Sequence, residues 1–190
     1  MDEKEFVKRL KSGDEQAFNE MVERNSKKIY YLCLKMLQNE KDAEDAAQTT
    51  FLKAYTNLSK FEEKSSISTW LHRIAVNVCT DILRKKKKTT NNSLYVTNQD
   101  EEEYTVEIPD ETESVEDSVI RKEQKEALYR AISELKPKQK KFIILRDIEN
   151  LSYEEIATIL KLNVGTVKSG INRARKALFE KLKKNSELFS

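Results

Sequence analysis

Apolar residues recur at helical spacing through most of the chain, and each recurrence predicts a helix. Phe6, Val7 and Leu10 mark a short one over Glu3–Lys11. Phe18, Met21, Val22, Ile29, Leu32, Cys33 and Met36 line one face of a longer one, from behind Asp14 to about Gln38. Ala43, Ala47, Phe51, Ala54 and Leu58 do the same from Glu40 to Asn57, and Leu71, Ile74, Ala75, Val78 and Ile82 from Ile67 to Lys86. Further on, Ala127, Leu128, Ala131, Ile132 and Leu135 predict a helix over Ile120–Leu135, and Phe142, Ile143 and Leu145 one over Lys138–Asp147. The breaks carry their own signals. Ser12-Gly13 closes the first helix, Asp14 and Asn39 are placed to cap the next two, and Lys136-Pro137 interrupts the chain again.

Two last helices are predicted within Leu151–Arg175. Ser152 with Glu155 three residues on is a capping box, and Ile156, Ala157 and Leu160 follow as an apolar face. Lys161-Leu162-Asn163 forms a break. Val167, Ile171, Ala174 and Leu178 then make the buried side of a helix whose other side holds Thr166, Lys168, Ser169, Asn172, Arg173 and Lys176. A short helix, a tight turn and a second helix with a cationic, hydrogen-bonding face describe a helix-turn-helix that reads the DNA major groove. A helical hairpin with a solvated face has the same spacing, so the pattern alone leaves both open.

Composition narrows the fold to all-α. The chain has 190 residues with only three Gly and two Pro, against 36% charged and 38% hydrophobic residues; that argues against a turn-rich β protein and for small helical cores. The net charge of +2 conceals three blocks: residues 1–88 sum to +4, residues 89–119 hold ten acidic and no basic residues, and residues 120–190 sum to +8. The middle block is poor in apolar residues apart from a few such as Leu94, Tyr95, Val96 and Tyr104, and reads as a linker. The expected architecture is two small helical domains, 1–88 and 120–190, joined by a flexible acidic linker over 89–119, with the helix-turn-helix in the second. Cationic blocks attract phosphate backbones and the acidic one repels them. No apolar run approaches the roughly 20 residues of a membrane span, and the charged N-terminus is no signal peptide, so a cytoplasmic location is expected.

Candidate chemistry is that of binding. Cys33, Cys79 and the lone His72 form no metal set and suit buried positions, and no catalytic triad, HExxH or phosphate-binding loop occurs. Neither an enzyme nor a cofactor is expected. Trp70, Arg73, Asn77, Asp81 and Arg84 fall on one flank of their helix, before the lysines Lys85–Lys88. A ring, an amide and guanidinium groups beside cations suit unpaired bases and their phosphates. The alternative is that Trp70 seals the core edge and Asp81 pairs with Arg84 or Lys85. Asp42, Glu44, Asp45, Gln48 and Thr49 sit near a helix N-terminus, where the dipole favours acids; a protein-docking face is the other reading.

Four blocks in this order, DEQAFNEMVER, DAEDAAQTTFLKAY, STWLHRIAVNVCTDILRK and LSYEEIATILKLNVGTVKSGINRAR, resemble bacterial RNA polymerase sigma factors of the extracytoplasmic-function type along nearly the whole chain. The resemblance implies that the Asp42–Tyr55 helix docks on the clamp helices of the largest subunit of core polymerase, with Asp45, Gln48 and Phe51 matching the docking motif and Asp42 beside them. It implies that Phe61, Trp70, Arg73 and Asn77, continued by Arg84 and Lys85, open the −10 element and hold a flipped base as single-stranded DNA. Lys168, Ser169 and Arg173 match positions that contact the −35 element as duplex. An anti-sigma factor, membrane-anchored in many relatives, is the expected inhibitor. The chain departs from the pattern at Gly170, where an Arg and its phosphate or base contact are missing, and at Asn172. Ala46, Ala47 and Thr49 replace bulkier residues of the docking helix, and Lys161 replaces a turn Gly, a strained exchange if φ is positive there. A stand-alone helix-turn-helix repressor or activator is the competing function.

Overall fold

A computed structural model describes residues 3–92 and 115–187, which form helices and turns without a strand among the described residues. The order is α1 (Glu3–Lys11), α2 (Glu15–Leu37), α3 (Glu40–Asn57), a 3₁₀ turn at Leu58–Lys60, α4 (Ile67–Asn92), α5 (Val115–Ser133), α6 (Pro137–Ile143), a π-helical turn at Ile144–Ile148, α7 (Tyr153–Leu160) and α8 (Val164–Glu187). The predicted caps are in place. Asp14 accepts from the Ala17 N–H at 3.0 Å and Asn39 from the Asp42 N–H at 2.9 Å. The Ser152–Glu155 box is reciprocal: the Glu155 N–H donates to Ser152 Oγ at 3.1 Å, and the Ser152 N–H to Glu155 Oε2 at 2.8 Å. Two boundaries differ from expectation. α4 runs on to Asn92 and α5 begins at Val115, five residues before Ile120. Most of the 89–119 segment, residues 93–114, lies outside the described residues.

The chain divides into two compact units, one holding α1 to α4 and residues 157–162, the other holding α5, α6, residues 144–156 and α8. In the first, α2, α3 and α4 pack on one another and α1 lies against α2. Its fully buried large side chains include Leu10, Met21, Ile29, Leu32 and Leu71, each stabilising the bundle by about 1.5–3 kcal/mol. The inward face of α3 is built from Ala43, Ala46, Ala47, Thr50 and Ala54. Ala46 and Ala47 therefore narrow the helix toward the core, and their small size does not alter its outer face. Cys33 and Cys79 are buried and not joined in a disulfide.

In the second unit α6 starts with Pro137 at a first-turn position, where its missing N–H costs nothing. The helix then widens: the Glu149 N–H donates to the Ile144 carbonyl at 2.9 Å. Behind it the Arg146 guanidinium lies 5.0 Å over the Tyr153 ring and donates to the Leu151 carbonyl at 2.7 Å. α8 packs on α5 and α6. Gly170 sits on that packed face. A Cβ there would stand 3.1 Å from Phe142 Cδ2 and closer still to Cε2 and Cζ, so in this chain the position is packed against the Phe142 ring. Lys161 has φ +53, and the Leu162 N–H donates to the Ala157 carbonyl at 3.0 Å, closing α7 in a Schellman turn with a lysine where glycine is favoured.

Lys140 is only 8% exposed, and burial pushes its amine down to about 8. Its unfolded value is near 10.5, so between the two the unfolded chain holds the extra proton and stability rises with pH; below about 8 the whole cost of the buried charge is felt. Lys140→Met should therefore raise the stability of this unit at pH 7 by about 1–3 kcal/mol and flatten its rise across that window, as read by denaturant melts at several pH values. Gly170→Ala should cost about 1–3 kcal/mol by overpacking, and Phe142→Leu in the same chain should restore part of the loss.

Candidate nucleic-acid interface

α4 is capped by the preceding Ser66, whose Oγ accepts from the Thr69 N–H at 3.1 Å. Leu71, Ala75, Val76, Val78 and Cys79 turn inward with His72. The opposite flank is mixed. Trp70 and Phe61 are each 5% exposed, and their rings lie 5.2 Å apart, tilted by 45°. Neither ring is open to solvent in this structure, where the two lie tilted against each other. The open part of the flank is Asn77, Arg84 and Lys85, with Arg73 half-buried between. Arg84 donates to Asp81 at 3.0 Å, the local pairing that helical spacing allows. Lys86 reaches across to the Asp42 carboxylate at the start of α3.

α3 turns Asp45, Gln48, Leu52 and Tyr55 to solvent in steps of three, four and three residues, which is one continuous stripe. Leu52 is 66% and Tyr55 52% exposed, although Tyr55 rests an edge on the Phe18 ring at 5.0 Å. Sequence reasoning missed both. Their position opposite the alanine face, in register with Asp45 and Gln48, is the signal that marks them. Phe51 and Asp42 are half-buried at the border of the stripe, and Thr49 is half-buried as well.

α8 is capped by Asn163, which accepts from the Thr166 N–H at 2.7 Å. Val167, Ile171 and Ala174 are fully buried, which fixes the rotation of the helix. Lys168, Ser169, Asn172, Arg173 and Lys176 are exposed in consequence, and Thr166 is half-buried at the edge. The two arginines near its middle part company. Arg175 grips Asp147 through Nε at 3.1 and 3.2 Å and again through Nη2. Arg173 points outward and makes no ion pair among the described residues. Lys168, Arg173 and Lys176 thus leave a cationic face whose charge is not neutralised from within. Phe179, 64% exposed, prolongs the Asn172–Lys176 line toward the C-terminus and was not foreseen. Among the described residues no helix is long and apolar enough to cross a membrane.

Comparison with known proteins adds identity to this geometry. Residues 21–89 match the family model for Sigma-70 region 2, and residues 125–178 match that for Sigma-70, region 4. The ECF RNA polymerase sigma factor SigW of Bacillus subtilis is 38% identical over 95% of this chain and 96% of its own length. The RNA polymerase sigma-H factor of Pseudomonas aeruginosa is 34% identical over 93% of this chain and 91% of its own. The sigma factor RpoE of Bartonella quintana, solved in complex with the anti-sigma factor NepR, aligns at a TM-score of 0.67 and 25% identity over 87% of this chain and 96% of that one.

Proposed function

The chain belongs to the extracytoplasmic-function sigma factors of bacterial RNA polymerase, and from that membership we propose how its parts divide the work of promoter-specific initiation. Residues 1–88 dock on core polymerase and open the −10 element, residues 89–119 tether, and residues 120–190 read the −35 element as duplex. Docking falls to the α3 stripe, Asp45 and Gln48 with Phe51 and Asp42 at its border, on the clamp helices of the largest subunit. Leu52 and Tyr55 supply exposed apolar area that such an interface needs at its centre. Asn77, Arg73, Arg84 and Lys85 hold the unpaired strand. Phe61 and Trp70 join them only if they become uncovered during melting, since each is 5% exposed in this structure. In the second unit Lys168, Ser169 and Arg173 lead the groove contacts, with Thr166, Asn172 and Lys176 beside them.

The observation that carries this reading is the uncompensated cationic face of α8 combined with a second cationic flank on α4, each on its own unit. A stand-alone repressor needs the first and has no use for the second. The chain performs no chemistry in this reading; it redirects the polymerase that does, in the cytoplasm. An anti-sigma factor is the proposed inhibitor, supported by the complex of the Bartonella quintana relative with NepR; a membrane anchor on that inhibitor would tether this chain indirectly.

Run-off transcription with purified core polymerase tests the assignment. The full chain should yield discrete transcripts that core alone does not. Arg173→Ala should weaken promoter binding by about 1–3 kcal/mol, whereas Asn77→Ala should leave duplex affinity intact and slow opening. Duplex binding by the free chain with no transcript at any promoter would favour the repressor reading.

A further inference from the structure

The cations of α8 fall into two sets, and an acid from another element of the second unit makes the division. Arg175 follows Lys168 by seven residues and Asn172 by three, so helical spacing puts it on the stripe of the groove face. Its side chain is 48% exposed, yet it is already engaged. Nε–H donates to both carboxylate oxygens of Asp147, at 3.1 and 3.2 Å, and Nη2 donates to Oδ1. That edge of the guanidinium is a fork of donors, the kind an arginine offers to a phosphate. Asp147 occupies the fork and offsets its charge. The carboxylate stands on a fixed piece of backbone. It lies within the π-helical turn Ile144–Ile148, where the Glu149 N–H donates to the Ile144 carbonyl at 2.9 Å. The Leu151 N–H donates to the Leu145 carbonyl at 3.1 Å, and Arg146 to the Leu151 carbonyl at 2.7 Å, so hydrogen bonds bracket Asp147 on both sides. Single wide turns of this kind are frequent at functional sites.

Resting on the reading of α8 as the duplex-binding face, we propose that Asp147 is a positioning residue that withholds Arg175 from duplex DNA and leaves the groove contacts to Lys168, Ser169 and Arg173. The consequence is electrostatic. A released Arg175 adds a phosphate contact, which favours every sequence alike and steepens the fall of log affinity with log salt by about 0.9. At about 0.15 M salt one such contact is worth about fivefold in affinity. An exposed ion pair can hold back about the same factor. Asp147 thus keeps the sequence-independent binding of α8 one contact below what its cations allow.

The test is fluorescence anisotropy with the full chain and a labelled duplex of non-promoter sequence, titrated at several salt concentrations. Asp147→Asn and Asp147→Ser are each read where denaturant melts show the variant folded. Both should bind about fivefold tighter at about 0.15 M salt, with a salt slope steeper by about 0.9. Loss of a merely structural contact would weaken binding, so the expected sign is the opposite of a structural role. Asp147→Asn combined with Arg175→Gln removes both charges and should bring affinity back to within about twofold of the original chain. A gain that persists in this double variant belongs to the bare charge of Asp147 and overturns the proposal. A double variant about fivefold weaker than the original overturns it as well, because Arg175 would then already be a DNA contact. So does the absence of a gain in both single variants. Lys168→Ala separates the two readings. If it flattens the slope while the Asp147 variants leave the slope unchanged, α8 remains the duplex face and the role of Asp147 falls; if neither changes it, the reading of α8 fails with it.

Discussion

Close approach of α3 to α2 and α4 is the constraint on which the first unit depends. Ala46 and Ala54 are fully buried and Ala47 nearly so, and Thr50 satisfies its hydroxyl by donating to the Ala46 carbonyl at 2.7 Å. A helix with so slight an inner face contributes little apolar area of its own. The larger side chains come from its neighbours, Met21, Ile29 and Leu32 on α2 and Leu71 on α4. Because the inner face is alanine, the outer face is free to carry Leu52 and Tyr55 without competing for the core. The same geometry brings the N-terminus of α3 beside the end of α4, where Asp42 meets Lys86. One carboxylate on α3 is thus paired with one cation on α4. Exposed as it is, that pair is worth at most about 1 kcal/mol, a link weak enough to be exchanged for intermolecular contacts.

The second unit solves the opposite problem. α8 must lie close to α6 yet leave a long face open, and the two needs are divided between neighbouring residues. Gly170 admits the Phe142 ring, Val167, Ile171 and Ala174 fill the remainder, and Arg175 is drawn to Asp147 from the side. That ion pair consumes one of two arginines and leaves Arg173 outward. The rotation of α8 about its axis, and with it the set of side chains offered to a groove, is decided by what is buried. A Cβ at Gly170 would push on that rotation directly, so the residue bears on which side chains α8 exposes without being one of them.

Much of this was legible in the sequence because it is local. Asp14, Asn39 and the Ser152–Glu155 box announce helix starts through hydrogen bonds spanning three residues, and Ala43, Ala47 and Ala54 of α3 and the apolar stripe of α8 follow from period, whereas Ala46 and Thr50 are buried off the expected face and Phe51, expected on it, is half-buried. What was not legible depends on partners distant in sequence. Trp70 shares its stripe with Asn77 and Arg84, and only the fold shows that Phe61 covers its face. Gly170 lies on the inner arc by period, yet its reason is a ring 28 residues earlier. The start of α5 was misplaced because Val115 and Val119 are the only apolar residues of an acidic stretch that reads as linker by composition. Leu52 and Tyr55 were passed over because exposed apolar residues look like core until the alanine face claims the inside. For Lys161 the sequence posed only a condition, strain if φ is positive, and the fold meets it with φ +53.

The claim on which everything converges is that one cationic unit grips paired DNA while the other keeps a strand unpaired, and both act through polymerase. Permanganate reactivity on a linear promoter fragment measures this most directly. With core polymerase and this chain together, reactive thymines should appear in one short stretch upstream of the transcript start, and with either component alone they should not. A protected duplex that never yields a reactive thymine in the presence of both would contradict it.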